Sequence, residues 1–77
     1  MTRNKVMMLL DMLMEHKELE MVQIGNLDVT YNPYMNNGEW EIFDHGSDHT
    51  EYTSFESDDI IECAETILAI SDYMNKM

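Results

Sequence analysis

The residues best suited to metal chemistry lie close together near the middle of the chain. Asp44, His45, Asp48 and His49 fall within six consecutive residues. Carboxylate and imidazole groups are ordinary ligands of zinc and other divalent ions. The spacing nevertheless matches no zinc motif and lacks the pattern of a calcium-binding loop. We therefore predict a polar loop without a metal or other cofactor, and keep as an alternative a divalent-metal module that uses His45 and His49.

Nucleophilic catalysis has a single candidate, the only cysteine of the chain. Cys63 falls on the apolar stripe of a predicted helix, where a free cysteine packs as a small hydrophobic side chain. A reactive thiolate needs a cationic neighbour, and the surrounding sequence offers none. Carboxylate pairs arise by chance among 16 acids, and a domain this small has little room for the cleft that glycosidase chemistry needs. We predict that the protein is not an enzyme.

The acidic residues form the most pronounced pattern in the sequence. The chain has 16 Asp and Glu against 4 Lys and Arg, which gives a formal net charge of −12. No Lys or Arg occurs between Lys17 and Lys76, a stretch that holds 14 of the acids. Nucleic-acid binding needs a basic footprint, and anionic membranes repel an acidic surface. We predict a protein that binds a basic partner and contacts neither nucleic acid nor membrane directly.

Length and segment composition indicate one cytoplasmic domain. The 77 residues form a single domain with a marginal core, which a homodimer would strengthen. The apolar run at residues 6–14 is interrupted by Asp11 and is too short to cross a membrane. No small-residue cleavage site follows it, and one cysteine suits a reducing compartment. The expected location is the cytoplasm, that of the host cell if a phage encodes the protein.

Apolar periodicity predicts a helix at each end of the chain. The first runs over residues 4–17, and its four methionines indicate core packing, with a dimer interface as the alternative. The last begins at an N-cap, Ser57. Its core stripe consists of Ile60, Cys63, Ala64, Ile67, Ile70 and Met74.

The residues between the two helices are predicted as antiparallel strands. The apolar parity switches at Gly25-Asn26, which either a two-residue hairpin turn or a bulge would explain. Residues 39–43 and 49–55 form a second predicted hairpin around the polar loop. The predicted fold is α+β: helix, three- to four-stranded antiparallel sheet, helix (α-β-β-β-α), with the helices on one face.

The second hairpin can concentrate acids on one face of the sheet. If Trp40, Ile42 and Tyr52 share the core face, Glu41 lies roughly opposite Glu51 on the open face. Like charges opposed across a strand pair destabilise a sheet, and a binding role would account for that cost. The predicted partner-binding residues are the acids of this hairpin and of the following helix: Glu39, Glu41, Asp44, Asp48, Glu51, Glu56, Asp58, Asp59, Glu62 and Glu65.

The chain resembles a known class of proteins in its size, its acidity and the stretches at residues 40–44 and 52–59. The whole-chain pattern resembles small inhibitors encoded by phages and mobile elements, which include anti-CRISPR proteins and uracil-DNA glycosylase inhibitors, several of them DNA mimics. The resemblance implies an acidic inhibitor of a basic nucleic-acid-binding protein, with a CRISPR effector nuclease as the favoured target. The alternative is a helper or antitoxin-type interaction protein that dimerises or docks through its Met-rich first helix.

Overall fold

The computed structural model describes residues 2–35, 37–46 and 51–75, and the side chains up to residue 73. Asp48, His49 and the side chain of Met74, which entered the predictions above, lie outside the described residues. The four strands form one antiparallel sheet in the order β1-β2-β3-β4. The predicted α+β fold is therefore confirmed, with four strands. The elements are α1 (Arg3–Glu15), β1 (Val22–Ile24), β2 (Leu27–Asn32), β3 (Glu39–Asp44), β4 (Glu51–Glu56), a 3₁₀ helix (Ser57–Asp59) and α2 (Ile60–Asn75).

Helix α1 begins at a side-chain cap and ends two residues earlier than predicted. The backbone N–H of Lys5 donates to Oγ1 of Thr2 at 3.3 Å, which satisfies one of the free donors of the first turn. At the other end His16 is extended, although its N–H still donates to the carbonyl of Met12 at 2.9 Å. Lys17 therefore lies in the connection to β1.

The parity switch in the first strand region comes from a two-residue hairpin turn. Val22 pairs with Val29 and Ile24 pairs with Leu27, which leaves Gly25 and Asn26 as the turn. Gly25 has a φ of +60°, a left-handed conformation that glycine adopts without steric strain. The alternative of a bulge in one longer strand was wrong.

Both helices pack on the same face of the sheet. The core combines one side of each helix with alternate positions of the strands, as the periodicity predicted. Trp40 lies at its centre, fully buried, and its Nε1–H donates to the carbonyl of Leu10 at 3.1 Å. This bond ties β3 to α1. The buried residues are Val6, Leu10, Leu13, Ile24, Leu27, Val29, Trp40, Ile42, Cys63, Ala64 and Ile67.

The β3–β4 register differs from the prediction by three residues along β4. Trp40 pairs with Phe55 and Ile42 pairs with Thr53, so Phe55 and Thr53 lie on the core face of the sheet. Tyr52 is not a core residue, and 47% of it is exposed. The prediction that Tyr52 shares the core face was wrong, because shifting a strand by an odd number of residues reverses which side chains are buried.

A bulge in β4 then changes the register again. The pair after Ile42–Thr53 is Phe43–Glu51, which leaves Tyr52 as an extra residue in β4. On the other side of the bulge Glu41 lies opposite Ser54, so the predicted opposition of Glu41 and Glu51 was wrong.

The start of α2 also differs from the prediction. Ser57 does not cap α2 but is the first residue of the 3₁₀ helix that leads into it. Its hydroxyl donates to the carbonyl of Asn37 at 3.2 Å. Glu62, Glu65 and Asp72 of α2 are exposed. In the ranges that the structure describes, neither helix combines the length and the apolar character of a membrane-crossing segment.

Candidate acidic interface

Four glutamates share the face of the sheet that the helices leave open. Glu39 and Glu41 alternate with the buried residues of β3, so they point away from the helices. Their face also receives Glu56, which pairs with Glu39, and Glu51, which pairs with Phe43. We call Glu39, Glu41, Glu51 and Glu56 the acidic face.

Two members of the acidic face lie directly opposite each other. Glu39 and Glu56 are partners in the β3–β4 ladder, which brings their Cβ atoms to within about 4.5–5.5 Å. Glu41 follows Glu39 on the same side of β3, about 6.6 Å further along the strand. The sequence prediction of opposed carboxylates therefore identified the right strand pair, although the residues involved are different.

Ser57 fixes the position of this pair from the backbone. Its N–H donates to the carbonyl of Gly38 at 3.0 Å and its hydroxyl donates to the carbonyl of Asn37. Gly38, directly before Glu39, is thus hydrogen-bonded to Ser57, directly after Glu56. Gly38 has a φ of +103°, and a Cβ there would lie 1.7 Å from Oη of Tyr31. Only glycine fits at this position, and the two hydrogen bonds of Ser57 hold the ends of β3 and β4 together.

The remaining predicted acids of the hairpin have other surroundings. Asp44 belongs to the core side of β3, opposite Leu27, and its carboxylate accepts the N–H of Gly46 at 2.8 Å. Asp44 therefore shapes the turn after β3. Asp58 and Asp59 lie in the 3₁₀ helix directly after β4, where exposed amide donors favour anionic side chains.

The acids of α2 are not brought together with the acidic face. Glu62 and Glu65 lie on the outer side of α2, which points away from the sheet. Glu65 also has a cation beside it, because Nη1 of Arg3 lies 3.1 Å from its Oε1. Of the ten predicted residues, the four of the acidic face and the two of α2 lie on opposite sides of the molecule, Asp44, Asp58 and Asp59 belong to neither group, and Asp48 lies outside the described residues.

Asp28 is a buried carboxylate on the open side of the sheet that the sequence analysis did not single out. Asp28 lies opposite Phe43 in the β2–β3 ladder, yet only 4% of its side chain is exposed. Nδ1 of His45 lies 3.0 and 2.9 Å from its two carboxylate oxygens. The backbone N–H of His45 also donates to the carbonyl of Asn26 at 2.9 Å. His45 thus anchors the start of the loop to the sheet.

The described residues offer little for metal or thiol chemistry. Within residues 2–35, 37–46 and 51–73, no three His, Cys, Asp or Glu side chains are grouped to hold a metal ion. The proposed ligand His49 lies outside these ranges. Cys63 is fully buried, and desolvation raises the pKa of its thiol to about 12. The thiol is therefore protonated at neutral pH and is a poor nucleophile.

No protein-family model matches the sequence, and no curated protein or solved structure matches it significantly. The resemblance to phage-encoded inhibitors therefore stays a prediction. The acidic face and the exposed surface of the helices are the features of the structure that bear on function.

Proposed function

We propose that this domain is a non-enzymatic inhibitor whose acidic face occupies a basic, nucleic-acid-binding surface of another protein. The observation that carries the proposal is the opposition of Glu39 and Glu56. Two carboxylates at directly opposed positions repel each other and weaken the strand pair. A partner that places Lys or Arg beside them offsets that repulsion.

The distribution of cations supports a partner from outside the chain. No Lys or Arg occurs from residue 18 to residue 75, so the sheet has no basic side chains of its own. Surfaces of opposite charge steer a partner into contact and fix its orientation. Arginine forks in a phosphate-binding channel bind carboxylates in the same two-pronged geometry. A row of glutamates can thus take the place of a phosphate backbone.

The resemblance described above favours a CRISPR effector nuclease as the target. Its guide–target channel is lined with positive charge, and a protein that filled this channel would prevent DNA from entering. The proposed site of action is the cytoplasm, where such a nuclease works. A different basic nucleic-acid enzyme would be recognised by the same chemistry.

A charge-neutralised variant with a matched control tests the proposal. The face variant carries Glu39→Gln, Glu41→Gln, Glu51→Gln and Glu56→Gln. The control carries Glu18→Gln, Glu20→Gln, Glu62→Gln and Asp72→Asn, which remove the same number of charges elsewhere on the surface. Binding to a purified CRISPR effector nuclease, and inhibition of its DNA cleavage, are measured for both and for the natural protein.

We expect the natural protein and the control to bind at low salt and to be displaced by duplex DNA. The face variant should bind more than about tenfold more weakly, since close charge pairs across interfaces contribute more than 1.4 kcal/mol. Equal binding of the face variant and the control would contradict a role for the acidic face. If this nuclease does not bind, capture from lysate repeats the comparison, and a salt-resistant partner without a nucleic-acid function would contradict the proposal.

A second candidate function is supported by the exposure of two methionines on α1. Met8 is 65% exposed and Met12 is 43% exposed, as a docking helix of an antitoxin-type interaction protein would require. Met8→Glu should abolish partner binding in that case, while the face variant should bind normally. The opposite pattern is expected for the inhibitor.

A further inference from the structure

The outer side of α1 carries a regular stripe of four exposed residues. Lys5, Met8, Met12 and Glu15 follow one another at intervals of three, four and three residues, and all four are exposed. Alternating intervals of three and four residues are the spacing of the apolar seam in a two-helix coiled coil. We call these residues the α1 stripe. The other methionines of the helix, Met7 and Met14, pack against the core instead.

The order of residues makes the α1 stripe complementary to itself. It reads cation, methionine, methionine, anion from the first residue to the last. A two-fold axis midway between Met8 and Met12 places Lys5 of one copy opposite Glu15 of the other, and Met8 opposite Met12. A parallel arrangement would instead bring like charges together at both ends. Charge therefore selects the antiparallel pairing.

We propose that a second copy of this chain covers the α1 stripe in an antiparallel, two-fold symmetric helix pair. Lys5, Met8 and Met12, together with Leu9, line a shallow hollow of about 190 Å³. A methionine of the second copy can fill this hollow, because its unbranched side chain adapts to irregular gaps. The stripe lies on the helix layer, so pairing leaves the acidic face accessible on the opposite side of the sheet.

The charge of the whole domain determines how strong this pairing can be. The stripe is smaller than the roughly 800 Å² per partner of a standard stable interface, so the dimer is weak. Each copy also carries a net charge of −12, and the two copies repel each other over a Debye length of about 30 Å at 0.01 M salt. We therefore expect dimerisation to tighten as salt is raised. Binding of a basic partner to the acidic face responds in the opposite direction, which separates the two interactions experimentally.

Charge reversal within the stripe tests the proposal by sedimentation equilibrium of the full chain. Lys5→Glu makes both charged positions acidic, and Glu15→Lys makes both basic, so each variant alone should dimerise at least tenfold more weakly than the natural protein. An equimolar mixture of the two variants restores both opposite-charge pairs, as does the double variant. Either should recover the natural association at about 0.15 M salt, where the Debye length is about 8 Å.

Matched variants separate the stripe from general charge effects. Lys17→Glu changes the net charge as Lys5→Glu does, and Glu62→Lys changes it as Glu15→Lys does, but both positions lie off the stripe. These controls should associate like the natural protein. Met12→Gln weakens the dimer without changing the charge.

Three results would overturn the inference. They are a natural protein that stays monomeric throughout the concentration series, a dimer indifferent to Lys5→Glu, and a mixture that associates no better than its components. Because the exposed positions contribute little to the core, circular dichroism should show that all variants fold, with Lys5→Glu and Glu15→Lys melting at or slightly above the temperature of the natural protein because they favour the dipole of α1.

Discussion

The two sides of β3 make opposite contributions to the domain. Trp40 and Ile42 point toward the helices and are completely buried, whereas Glu39 and Glu41 point away from them. Packing explains the first pair, because removing large apolar side chains from water is the main favourable contribution to folding. Packing does not explain why the second pair should be acidic. The covered side of the strand is therefore accounted for by stability, and the open side requires a reason outside the fold.

The two sides of β3 also differ in their specific contacts, which stabilise the fold on the covered side and oppose it on the open side. Trp40 donates its indole hydrogen bond to α1, and its ring lies 5.4 Å from the ring of Tyr31 at an angle of 56°. Tilted aromatic pairs of this kind add about 0.5–1.5 kcal/mol beyond area burial. On the open side, by contrast, Glu56 lies directly opposite Glu39, and the two carboxylates repel each other.

The largest effect is expected at Trp40. Trp40→Ala should lower the free energy of unfolding by about 3–5 kcal/mol, because it leaves a cavity and removes the hydrogen bond to α1. Urea denaturation measures the change. Tyr34→Ala removes an aromatic ring that is 92% exposed and should change stability by about 0.5 kcal/mol or less. Similar values for the two variants would show that the covered side is not the core.

The buried thiol of Cys63, in the part of α2 that packs on the sheet, should lower the stability of the protein at high pH. Burial raises the pKa of Cys63 to about 12 from the ordinary 9.0, so the thiol ionises first in the unfolded chain. The free energy of unfolding then falls by up to about 1.4 kcal/mol per pH unit between pH 9 and 12. The stability difference between the natural protein and Cys63→Ala should therefore shrink by about 2 kcal/mol from pH 7.5 to pH 10.5. A difference independent of pH would contradict the burial of this thiol.

Asp28 is the exception on the open side and should behave like a covered residue. Asp28→Ala removes a buried carboxylate that His45 contacts, so we expect a loss of about 1–3 kcal/mol. A double-mutant cycle with His45→Ala measures the coupling by urea denaturation. Additive effects of the two substitutions would argue against an energetic link between the sheet and the loop.

The smallest effect should have the opposite sign. Glu56→Gln removes the repulsion toward Glu39 and should stabilise the protein by about 0.2–1 kcal/mol, less so at high salt. Glu20→Gln, an exposed residue away from the sheet face, changes the net charge equally. A gain from Glu56→Gln no larger than that from Glu20→Gln would assign the effect to overall charge.

The sequence allowed the element order and the helix faces to be predicted, because apolar periodicity reports burial directly. Cys63 and Ile67 were expected in the core and are found there. The pairing of Glu39 with Glu56 could not be predicted, since the register of β4 depends on the bulge at Tyr52. Alternation across a strand does not reveal which residue is inserted.

The burial of Asp28 was unpredictable for a different reason. Its position in β2 places it on the open side, where a carboxylate is normally solvated. The imidazole that contacts it is 17 residues away, and nothing in the local sequence of either residue indicates the contact. Acidic composition thus predicted the charge of the open side, while the geometry of its individual members required the structure.

The bulge in β4 has a further consequence for a domain with an uncovered sheet. A regular edge strand presents unpaired N–H and C=O groups that can join the sheet of another molecule and start aggregation. Here β1 is only three residues long, and β4 is irregular and begins and ends with a glutamate. Both edges therefore resist strand addition, and copies of the domain are kept from extending one another's sheets even where they meet at high concentration.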